Sequence, residues 1–94
     1  MKMINPIPFA MRNELVVLAN SLIERRIDKY SDKVELLQLP KPVADYVGVA
    51  EMNNLACRVT VDQILPEWLR EFLFDCYADA NNELLEKGLQ KGRQ

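Results

Sequence analysis

Pro66-Glu67-Trp68-Leu69-Arg70-Glu71-Phe72-Leu73-Phe74-Asp75-Cys76-Tyr77-Ala78-Asp79-Ala80-Asn81-Asn82-Glu83-Leu84 is the stretch on which the fold turns. Proline suits the first helical position, where its missing N–H costs nothing. Behind it Trp68, Leu69, Phe72, Leu73, Cys76, Tyr77, Ala80 and Leu84 recur at spacings of one, three and four, a broad apolar face with helical period. The spacing predicts a helix over 66–87. Gly88 is a plausible stop, with Lys91 and Arg93 in a basic flexible tail over 88–94.

A helix with so wide an apolar face needs a partner, and the chain offers one before it. Met11, Leu15, Leu18 and Leu22 form one row and Ala19, Ile23, Ile27 and Tyr30 a second, while Arg12, Asn13, Asn20, Ser21, Glu24, Arg25 and Asp28 share the other side. This pattern predicts a long amphipathic helix over 9–30. Residues 1–8 read as an extended lead-in, because Pro6 and Pro8 push their predecessors away from helical geometry. Neither long helix would be stable alone, so the two are expected to pack together.

The middle is ambiguous. Val34 to Leu39 reads as a short helix or a strand, stopped by Pro40 and Pro42. Residues 43–49 and 57–61 fit period two, yet 42–47 and 51–58 also read as helices hinged at Gly48. The Ala, Glu, Met and Leu content favours helix over 42–57, and Arg58 to Val61 is the best strand candidate. The expected fold is therefore mainly α, two long amphipathic helices bracketing short middle elements. The alternative is α+β, with a small two- or three-stranded sheet in 34–61.

Composition narrows the function classes. With 94 residues, 49% hydrophobic and 28% charged, the chain suits one globular domain, here 9–87, and is too apolar for disorder. Histidine is absent, which removes the commonest general base and metal ligand. Cys57 and Cys76 lack a CxxC partner and are expected as reduced, small hydrophobes, not metal ligands. No phosphate-binding, dinucleotide, zinc-protease or nucleophile-elbow motif occurs, so no catalytic residue, enzyme activity or cofactor is expected. The apolar run Leu15 to Ala19 falls far short of the ~20 residues that span a bilayer, and the N-terminus has no secretory pattern. A cytoplasmic protein without membrane association is the expectation.

Three features point toward binding. Charge is segregated: residues 62–86 hold one basic side chain, Arg70, against seven acidic ones, although the whole chain carries only −2. Glu67, Glu71, Asp75, Asp79 and Glu83 stand four apart on one side of the predicted helix, drifting ~40° per step. Like charges at that spacing oppose the helix by a few tenths of a kcal/mol per pair. Such a ladder is either a solvated face or a contact ribbon for a basic protein surface. Second, Phe72 and Phe74 differ by ~200° around the helix, so they face different ways. Phe74 aligns instead with Ala78, Asn81 and Leu85 in a minor stripe, covered by the middle or exposed as an apolar anchor. Third, Val43 to Val49 resembles the tight turn between crossed helices. The following segment would offer Asn53, Asn54 and Arg58 to DNA, but Asn54 stands where an apolar anchor belongs and no lysine is available for phosphates.

The reading that follows is a small non-enzymatic adaptor or inhibitor. It would dock on a larger intracellular protein with a basic surface, for instance a nucleic-acid-handling enzyme, through Glu67, Glu71, Phe74, Asp75 and Asp79. Small phage-encoded antagonists of such enzymes supply the analogy. Two alternatives stand beside it: a helix-turn-helix DNA-binding regulator using 42–58, and a structural homodimer subunit. Nucleic acid is not expected as a direct ligand under the first reading.

Overall fold

The computed structural model describes residues 11–30, 32–51 and 57–92. Helix α1 spans Arg12–Arg26 and tightens into a 3₁₀ turn at Ile27–Tyr30. A single helical turn, α2, occupies Val34–Leu37, and a second 3₁₀ turn lies at Val43–Tyr46. Strands β1 (Val47–Glu51) and β2 (Cys57–Val61) form a two-stranded antiparallel sheet, and helix α3 runs from Glu67 to Gly92. Two long helices with a small sheet between them are thus present. The lead-in expected over 1–8 lies outside the described residues.

Leu15, Ala19, Leu22 and Ile23 of α1 and Leu69, Leu73, Cys76, Tyr77 and Ala80 of α3 are buried, most of them completely. Their spacing of three and four places each set on one helix face, and the two faces meet as the central layer of the core. Tyr30 closes one end. Its ring stands 5.1 Å from that of Trp68 and 5.3 Å, edge-on, from that of Phe72. Such pairs add about 0.5–1.5 kcal/mol beyond area burial. Among the described residues no helix is long and apolar enough to cross a membrane.

Helix α3 departs from its expected end. The backbone stays helical through Gly88 to Gly92. One glycine inside a helix costs only about 1 kcal/mol relative to alanine and does not by itself terminate it. At the other end Pro66 stands immediately before the helix, its carbonyl accepting bonds from the Leu69 and Arg70 amides at 3.1 Å. The Asp62 carboxylate accepts the Ile64 N–H at 3.0 Å and so turns the chain from β2 into that start.

The helical reading of 42–57 is corrected by the sheet. Residues 47–51 and 57–61 are strands, paired Val47 with Val61, Gly48 with Thr60, Val49 with Val59, Ala50 with Arg58 and Glu51 with Cys57. Val47, Val49, Val59 and Val61 pack against the core while Gly48, Ala50, Arg58 and Thr60 are exposed. That alternation lets β-branched side chains cover the helices on one face only. Gly48 is a strand residue, not a hinge. A Cβ there would lie 3.2 Å from the Thr60 hydroxyl oxygen, so the position opposite Thr60 favours the smallest side chain.

Candidate functional site

Antiparallel ladders alternate, and one bond fixes the phase here. The Asp62 N–H donates to the Tyr46 carbonyl at 2.9 Å just beyond the strands. Counting inward, Gly48–Thr60 and Ala50–Arg58 are the hydrogen-bonded pairs. Val47, Val49, Val59 and Val61 therefore turn their backbone N–H and C=O groups away from the ladder, toward the two outer edges. On the β1 edge the Arg12 Nε–H of α1 donates to the Val49 carbonyl at 3.0 Å, which confirms the phase and occupies that acceptor.

The β2 edge is different. A groove of about 410 Å³ is lined by the four consecutive residues Arg58 to Val61 on one side and by Glu67, Arg70, Glu71 and Phe74 of α3 on the other. Consecutive strand residues point to opposite faces of a sheet, so a groove that touches all four runs along the strand's edge. Phe74, half-buried, lines the α3 side of this groove.

Five residues were expected to bind a partner, and the structure divides them. Glu67, Glu71 and Phe74 share this groove. Glu67 and Glu71 are exposed, and among the described residues neither forms an ion pair. Asp75 faces another way, into a recess with Arg26, Lys29, Tyr30 and Phe72. Asp79 is engaged inside the molecule: an Arg26 Nη1–H donates to its Oδ2 at 2.8 Å, with the two side chains only 37% and 28% exposed. That bond holds the Arg26 guanidinium above its ordinary pKa. The next rung, Glu83, pairs with Lys87 at 3.4 Å. The ladder is thus paired at Asp79 and Glu83, while among the described residues no ion pair forms at Glu67, Glu71 or Asp75.

The minor stripe of α3 divides in the same way. Ala78 and Asn81 are fully buried and Leu85 packs against the core, while Phe74 remains at the groove. Of the residues considered for DNA contact, Asn53 and Asn54 lie outside the described residues. Arg58 is exposed on β2, in the groove that also holds Glu67 and Glu71. Carboxylates so near would repel a phosphate. No helix pair occupies 42–51, so the crossed-helix turn that motivated that reading is absent.

Sequence reasoning missed Arg70. Its Nε–H is shielded from solvent and has no hydrogen-bond partner among the described residues, although the side chain lines the groove. A buried donor left unpaired costs about 1–3 kcal/mol, more when charged. Its place as the lone base among the acids of 62–86 was the available signal.

A second depression, about 540 Å³ and mainly apolar, lies between α1 and α3 at Val17, Leu18 and Leu84, with Val17 69% exposed. Cys57 and Cys76 are buried and form no disulfide with each other, and burial pushes both thiols above their ordinary pKa. Among the described residues no group of three or more acidic, cysteine or histidine side chains is placed to hold a metal ion. In comparisons with protein-family models, with curated proteins and with solved structures, nothing matches this chain.

Proposed function

We propose that the protein is a small non-enzymatic binding module that docks on a larger protein through the groove between β2 and the first turns of α3. One observation carries the reading. Glu67, Glu71 and Phe74 converge on a single groove, shared with Arg58 and Arg70, in which neither carboxylate forms an ion pair among the described residues. An apolar anchor inside a charged rim is the usual anatomy of a protein contact. Unpaired carboxylates at the rim favour a basic partner surface, raising the on-rate and selecting against acidic partners. Asp75 and Asp79 are assigned to the fold and not to the contact. An inhibitor or adaptor role on a nucleic-acid-handling enzyme fits this chemistry, because such enzymes carry basic surfaces.

The test is affinity capture of the tagged protein from its native lysate after nuclease treatment, at low and high salt. A stoichiometric protein partner is expected, weakened by salt and lost with the double variant Glu67→Lys/Glu71→Lys. Both side chains are exposed, so circular dichroism of that variant should match the parent. A partner retained equally by the double variant would overturn the reading, as would recovery of nucleic acid alone.

A further inference from the structure

We draw no further inference here: the strongest candidate, the mainly apolar depression of about 540 Å³ between α1 and α3 at Val17, Leu18 and Leu84, is an unpartnered face, and nothing in the structure shows what covers it.

Discussion

Replacing Asp79 with asparagine asks whether that residue belongs to the fold or to a binding surface. The bond to Arg26 is short, 2.8 Å, and joins residues 53 positions apart on the two core helices. Exposed ion pairs contribute about 0–1 kcal/mol, and hydrogen bonds to charged groups about 1.5–3 kcal/mol. With side chains 37% and 28% exposed, this pair stands between those limits, and solvent screening reduces it toward the lower one. A loss of about 1 kcal/mol is expected, a fall in Tm of roughly 4–8 °C for a domain this size. Urea unfolding of the parent, Asp79→Asn, Arg26→Gln and the double variant forms a cycle whose coupling should be about 0.5–1 kcal/mol. Because Arg26 also reaches the Cys76 thiol, the cycle isolates the carboxylate's share where a single variant would not. Coupling within about 0.3 kcal/mol of zero would refute the assignment and return Asp79 to the solvated face.

Three further outcomes are expected. Leu73→Ala, at a site fully shielded from solvent between the helices, should lower stability by about 3–5 kcal/mol in urea unfolding; a loss below 1 kcal/mol would mean that the helices do not pack there. Burial raises the Cys76 thiol and the Tyr77 hydroxyl, so the native state keeps protons that the unfolded chain gives up. Stability should therefore fall as pH rises, through the thiol above about 8.5 and through the hydroxyl in addition above about 10, at up to about 1.4 kcal/mol per unit for each group, and Cys76→Ala should flatten the lower part of the slope measured by urea unfolding. Both thiols should react with a disulfide reagent only on the unfolding timescale; immediate modification of either in native buffer would contradict their burial.

The two long helices were legible because their evidence is local. The rows Leu15–Ala19–Leu22–Ile23 and Leu69–Leu73–Cys76–Ala80 repeat within one turn of themselves, and burial follows the repeat. Strands β1 and β2 were not legible in the same sense. Residues 43–49 and 57–61 did carry period two, and Arg58 to Val61 the better strand composition, but the pairing of Val47 with Val61 depends on contact between two segments and left 42–57 open to the helical reading. The acidic ladder shows the same divide. Its spacing was visible in the sequence, but that Asp79 is answered by Arg26 while Glu71 has no ion-pair partner among the described residues depends on how two distant helices meet. The groove itself was invisible, since it exists only where a strand edge and a helix run side by side.

The two helices that make the core stand at opposite ends of the described chain, with every other element between them. During synthesis α1 is complete long before α3 exists. At about 5–20 residues per second, the stretch from Arg26 to Glu67 alone takes about 2–8 s to make. Throughout that interval Leu15, Leu22 and Ile23 lack the α3 face that completes their burial. The helix–helix core can close only once α3 has been made. A message truncated before α3 would leave a sticky amphipathic helix for chaperones and proteases, so abundance in the cell depends on finishing the chain as much as on any bond within it.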